Sequence, residues 1–203
     1  MDIIGILVLV ISFFFLLVVG VPVAYSIGVA GILTMLVNID SLPALTTYAM
    51  RMASGLDSFA LLAIPFFILA GNIMNSGGLA LRLIDFAKVL VGRLPGGLAV
   101  VNVVANMLFG AISGSAAAAA SAIGSIMTPE MKKAGYDPNF SAAVNISSAT
   151  TGMTIPPSNV LIVYSLASGG VSVSALFMAG YLPGILTGVA IMIVAAMFAA
   201  RKG

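Results

Sequence analysis

Ser147-Ser148-Ala149-Thr150-Thr151-Gly152-Met153-Thr154-Ile155-Pro156-Pro157-Ser158-Asn159 interrupts two apolar runs, residues 140–146 and 160–167. A lipid-exposed span cannot leave backbone groups unpaired, because each orphan costs several kcal/mol. Broken backbone at that depth is tolerated where it is buried in protein or lines a site. Pro156 and Pro157 carry no N–H, so in a helix the carbonyls of Gly152 and Met153 lose their usual donors. Freed carbonyls beside hydroxyls make a neutral cage of oxygens, which suits a small dehydrated cation such as Na⁺. The stretch predicts a discontinuous transmembrane helix over residues 139–168, broken at 152–159.

A second interruption, Gly110-Ala111-Ile112-Ser113-Gly114-Ser115, lies between apolar residues 98–109 and 116–127. Lys88 and Arg93 precede this region and Lys132 and Lys133 follow it. Basic residues favour the cytoplasmic side, so both ends belong on one face of the membrane. That predicts a re-entrant helical hairpin over residues 96–128, with half-helices of ~15 residues and ~22 Å turning at Ser113-Gly114-Ser115. The alternative is one span with a Gly110/Gly114 packing motif. It would set the two basic pairs on opposite sides.

Composition widens the reading to the whole chain. Its 203 residues are 61% hydrophobic and 7% charged, whereas about a quarter of a soluble domain is charged. The fold class is an all-α integral membrane protein with polytopic helices. Apolar runs of ~20 residues, not ~10-residue alternating segments, exclude an outer-membrane barrel. Without cysteine, disulfides and thiol chemistry are excluded; without histidine, serine–histidine catalysis and the commonest metal ligand go too. The net charge of +2 reflects cations kept on cytoplasmic loops, and no basic block points to nucleic acid.

Residues 3–19 and 22–37 are short apolar segments joined at Gly20-Val21-Pro22, with Pro22 suited to a first helical turn. Asp2 stands where a cleaved signal would carry positive charge, which favours a retained first span. Residues 43–54 read as an interfacial helix with Arg51 snorkelling. Residues 58–75 form a third span containing Pro65. Arg82, Asp85 and Lys88 share one face of an amphipathic helix over 79–93, read as a plain solvated face. The loop is expected at residues 128–138, and the last span at 174–200. Counting sides back from Arg201 and Lys202 puts residue 203 in the cytoplasm and the N-terminus in the periplasm, with Arg51 as the exception. Gly180, Gly184 and Gly188 read as helix packing.

Residues 95–128 and 139–200 contain no charged side chain. A proton relay needs an intramembrane carboxylate or histidine. Any ion handled here must be bound by neutral oxygens, which favours Na⁺ over H⁺ unless a partner chain supplies a carboxylate.

Several motifs resemble the large membrane subunit of tripartite ATP-independent periplasmic (TRAP) transporters. They are Leu62-Ala63-Ile64-Pro65-Phe66-Phe67-Ile68-Leu69-Ala70-Gly71, Ile112-Ser113-Gly114-Ser115, Pro129-Glu130-Met131-Lys132-Lys133-Ala134-Gly135-Tyr136, Ile155-Pro156-Pro157-Ser158 and Leu176-Phe177-Met178-Ala179-Gly180. They occur in family order and span nearly the whole chain. The resemblance implies half of an elevator-type secondary transporter in the bacterial inner membrane, not an enzyme. It would import an acidic solute, a C4-dicarboxylate or a sugar acid such as sialic acid, by symport with Na⁺ and with no other cofactor. A periplasmic solute-binding protein, a small TRAP membrane subunit and the second half of the large subunit are the implied partners. Residues 1–95 would be scaffold-like and residues 96–203 transport-like.

Carried over by position, the resemblance implies Na⁺ ligands at Ser113, Gly114, Ser115, Ser147, Ser148, Thr151, Gly152, Thr154 and Pro156. Substrate contacts would fall on Ser115, Thr154, Ser158 and Asn159, near a helix N-terminus that favours an anion. Two departures stand out. The family often has Gly-Pro-Ile-Ile-Pro-Pro where this chain has Gly152-Met153-Thr154-Ile155-Pro156-Pro157. The family subunit also carries two inverted repeats, and one is present here. Two readings from other classes compete: an intramembrane serine protease built on Ser113, for which no general base is evident, and a non-transporting scaffold subunit. A scaffold needs small packing residues but not two polar breaks and a double proline.

Overall fold

The computed structural model describes residues 3–202, apart from the side chains of Phe59, Arg201 and Lys202. The expected placements of the N-terminus, with Asp2, and of residue 203 lie outside the described residues. The chain is helical, with no strand among the described residues, and divides into two compact units, residues 1–58 and 59–203.

The first unit holds α1 (Ile3–Val18), α2 (Val23–Asn38) and α3 (Ser41–Leu56). Gly20, at φ +90°, reverses the chain after α1. Pro22 sits one residue before α2 as its N-cap, not inside the first turn. Gly5 at the start of α1 lies under the Asn38 amide at the end of α2, so the two helices run antiparallel. Gly28 gives room to the Tyr48 hydroxyl of α3, 2.9 Å from where a Cβ would stand.

The second unit comprises α4 (Phe59–Ser76), α5 (Leu79–Val91), α6 (Gly97–Ser113), α7 (Ala116–Lys133), α8 (Pro138–Ala149), α9 (Thr151–Thr154), α10 (Asn159–Ala167) and α11 (Val173–Lys202). The expected hairpin is α6 and α7. Asn102, early in α6, reaches Met131, late in α7, at 3.5 Å. Lys88, just before α6, pairs with Glu130 at 2.9 Å. The arms therefore return to the same end. Lys88 is thus no plain solvated charge; it clips α5 to the base of the second arm. That arm runs to Lys133 with Pro129 inside it, beyond the expected end at residue 128, and the loop shrinks to residues 134–137. One missing N–H does not stop a helix whose far end is held by this ion pair and by buried Met131.

The expected broken helix is also present, with its break displaced. Residues 151–154 are still helical, as α9, and the non-helical part is residues 155–158, containing a cis Pro156-Pro157 bond. α11 is long and apolar enough to cross a bilayer, and α1, α2 and α6 are shorter apolar helices.

Polarity is arranged inside out. Asn102, Asn106, Ser148 and Thr151 are fully buried, while Met178 and Leu182 are 74% and 68% exposed. Intramembrane polar groups face the bundle interior and apolar side chains face lipid. The core around Phe109, Ile123, Met127 and Met131 lies where the hairpin arms meet α5 and α8.

Candidate functional site

The site forms where the two interruptions meet. α6 ends on Gly114, which takes φ +63° and donates its N–H to the Gly110 carbonyl at 2.8 Å. Glycine enters this left-handed conformation without the penalty a Cβ would bring. Ser115 is then extended (φ −136°, ψ 118°), and its hydroxyl caps α7 by accepting from Ala118 N–H at 3.3 Å. The break repeats this design. Ser158 is extended (φ −129°, ψ 124°) and caps α10 by accepting from Leu161 N–H at 3.4 Å.

These two turns pack against each other. A Cβ on Gly114 would stand 3.1 Å from the Pro157 carbonyl oxygen and 3.4 Å from both the N and the Oδ1 of Asn159. Four helix ends thus converge: the C-termini of α6 and α9 and the N-termini of α7 and α10. C-terminal carbonyls attract cations and N-terminal amides attract anions, so one junction offers both kinds of contact. Asn159 Oδ1 is buried there without a hydrogen-bond donor. An orphaned oxygen of this kind is costly unless something electropositive meets it.

Ser113 is buried, and its hydroxyl engages Ser115 backbone groups at 3.4 Å. Gly71 of α4 makes room for it, with a hypothetical Cβ 3.3 Å from Ser113 Cβ. Thr151 and Ser148 are buried and linked, Thr151 Oγ1 donating to the Ser148 carbonyl at 2.6 Å. Gly152 lies against Gly110. Thr154 and Pro156 lie under Gly180 of α11.

Two expected residues are placed differently. Ser147 is exposed and lines a mostly apolar groove of about 630 Å³ between α8 and α11, with Val144, Thr187 and Ile191. The turn at Thr150, where Met153 N–H bonds the Thr150 carbonyl at 3.1 Å, interrupts the α8 ladder between Ser147 and Thr151. Ser158 uses its hydroxyl within the break, donating to the Met153 carbonyl while capping α10. The Met153 carbonyl, expected to be free, is therefore partnered.

Among the described residues no cluster of Asp, Glu, His or Cys could hold a metal ion. The oxygen atoms that line this junction belong to hydroxyl, amide and carbonyl groups. Asn102, Asn106 and Asn145 lie within runs that hydropathy reads as apolar. Their signal was available, as amides spaced four apart (Asn102, Asn106) in an otherwise apolar run.

Residues 10–203 match the profile of the family described as "Tripartite ATP-independent periplasmic transporter, DctM component". The chain belongs to this family. Among curated relatives, the uncharacterized protein YgiK of Salmonella typhimurium is 59% identical over 94% of the chain and 44% of its own length. The C4-dicarboxylate TRAP transporter large permease protein DctM of Vibrio cholerae is 45% identical, covering 88% of the chain and 39% of the relative. The sialic acid TRAP transporter large permease protein SiaM of Vibrio cholerae is 39% identical over 93% of the chain and 43% of the relative. The chain spans less than half the length of these relatives. Relatives with assigned roles are named as permeases, not enzymes, which sets aside the serine protease.

Proposed function

We propose that this chain provides one ion-binding half of a TRAP large permease that imports an acidic organic solute with Na⁺. The observation that carries this reading is the junction itself. Gly114 lies against the Pro157 carbonyl and Asn159, beside a buried Asn159 Oδ1 that lacks a donor. Ser113, Gly114, Ser115, Thr151, Gly152, Thr154 and Pro156 form the hydroxyl and carbonyl surroundings of the ion, and Ser148, level with Asn106 about two turns below Gly114, holds Thr151 from beneath. Ser115, Thr154, Ser158 and Asn159 lie next to the α7 and α10 N-termini, where a substrate carboxylate would be favoured.

Charge supports the choice of ion. Residues 95–128 and 139–200 contain no Asp, Glu, Lys, Arg or His, so proton coupling lacks its usual carrier there. The relatives' names point to C4-dicarboxylates and sialic acid as the substrate class. In this reading the hairpin is re-entrant from the cytoplasmic side of the inner membrane. Residues 96–203 travel as the elevator and residues 1–95 belong to the scaffold. The second half of the permease, a small membrane subunit and a periplasmic binding protein complete the machine.

The test is reconstitution of the chain with these components in liposomes, followed by uptake of a labelled C4-dicarboxylate or sialic acid in NaCl or choline chloride. Uptake that needs Na⁺ and is lost in Thr151→Val supports the proposal. Uptake equal in choline overturns it, and Na⁺-independent loss of assembly in Thr151→Val favours a scaffold role.

A further inference from the structure

Three asparagines outside the ion-binding junction form a buried network across both hairpin arms and the broken helix. Asn106 Nδ2 of α6 lies 2.7 Å from Asn102 Oδ1, 3.0 Å from Asn145 Oδ1 and 2.9 Å from Ser148 Oγ. Ser148 gives its own proton to the Val144 carbonyl at 2.7 Å, which leaves a lone pair for Asn106. Asn145 Nδ2 crosses to α7 and donates to the Ala120 carbonyl at 2.9 Å. Gly124 leaves the space that this amide fills. Asn102 Nδ2 contacts Met131 Sδ at 3.5 Å. The two N–H bonds of this amide, shared among these acceptors, join α6 to α8, and its neighbours extend the tie to α7; Asn106 Oδ1 itself has no donor.

The register of these contacts carries the inference. Asn106 meets Ser148, Gly110 meets Gly152, and Gly114 meets Pro157 and Asn159. From the first contact to the second is four residues on both sides, about one helical turn, and the third lies a further turn along α6. Glycine against glycine restricts the height only by steric exclusion. A directional hydrogen bond adds an attraction met at one height alone, and a slip of one turn would leave further buried polar groups without partners.

We propose that Asn106 is a positioning residue, which fixes the height of α6 against α8 and thereby sets the hairpin tip opposite the break. This deepens the Na⁺ reading and rests on it for transport, though not for the register. The test uses Asn106→Leu, which keeps the branched heavy-atom skeleton and removes the hub. With the full chain in lipid nanodiscs and no Na⁺ present, amide hydrogen exchange at residues 151–159 should rise about tenfold. In the reconstituted transporter the half-saturating Na⁺ concentration should rise by a similar factor, while the rate at saturating Na⁺ changes less than about twofold. Exchange unchanged at residues 151–159 overturns the proposal. So does a lower saturating rate with unaltered half-saturation, the pattern of simple loss of folded protein. If Asn106→Leu does not fold, Asn145→Ala removes one arm of the same hub and must give the same pattern in smaller measure. Wild-type uptake indifferent to Na⁺ would defeat the ion reading alone, because the exchange measurement still decides the register.

Discussion

Gly110 and Gly152 meet backbone to backbone, each occupying the space where a Cβ on the other would stand. This crossing brings α6 against α9 and leaves no side chain to yield. Gly110→Ala and Gly152→Ala should each destabilise by about 1–3 kcal/mol or more, the cost of overpacking against an unyielding partner. Gly55→Ala is the contrast, since nothing lies within 4 Å of its Cβ position. In a helix that change should be neutral or stabilise by up to about 1 kcal/mol. Melting temperatures in detergent, with all three variants side by side, check the ordering.

Gly114→Ala combines a left-handed residue with crowding against the Pro157 carbonyl. The conformation alone costs about 1–2 kcal/mol. The expected outcome is a rise in the Na⁺ concentration needed for half-maximal uptake, larger than that of Ala116→Gly in the neighbouring first turn of α7. Equal shifts in the two variants would remove the tip from the ion site.

The two serine caps should separate in energy. Ser115→Ala loses one cap, worth roughly 1 kcal/mol. Ser158→Ala loses the cap and also leaves the Met153 carbonyl without its hydroxyl, so it should cost about 1–3 kcal/mol more. Thermal denaturation without Na⁺ measures both, and a Ser115→Ala variant as damaged as Ser158→Ala would contradict the assignment.

Lys88 and Glu130 are each about one-third exposed, at 36% and 37% of their side chains. A pair of this kind contributes roughly 0.2–1 kcal/mol and is screened by salt. A double-mutant cycle with Lys88→Met and Glu130→Gln should return a coupling in that range, shrinking as choline chloride is raised. Choline keeps the measurement apart from any Na⁺ effect.

Much of the architecture could be read from local chemistry. Pro156 and Pro157 announced the break, Gly114 between two serines announced the turn, and the paired cations at both ends of residues 96–128 announced the return of the hairpin. What escaped was tertiary. Pro129 looks like a stop but lies inside α7, because contacts from α5 and the core hold the helix beyond it. Ser147 shares polarity with Ser148 and Thr151, yet it faces the α8–α11 groove. The Met153 carbonyl looked free until folding brought the Ser158 hydroxyl to it. Asn102, Asn106 and Asn145 scarcely dent the hydropathy of their helices, and a periodicity reading passes over them.

The glycines of α11 carry a mechanical consequence. Gly180 sits over the Thr154 carbonyl, with 2.6 Å to a hypothetical Cβ; Gly184 sits over Ile155, with 2.5 Å; and Gly188 covers the Met107 thioether of α6. These are three successive turns of one helix, clamped onto both the break and the first hairpin arm. The break could not glide along α11 without side chains colliding with its main chain, whereas at Gly188 the contact is with the flexible Met107 side chain of α6. In the proposed transport cycle the break and α11 would move as a single block, with the hinge located elsewhere.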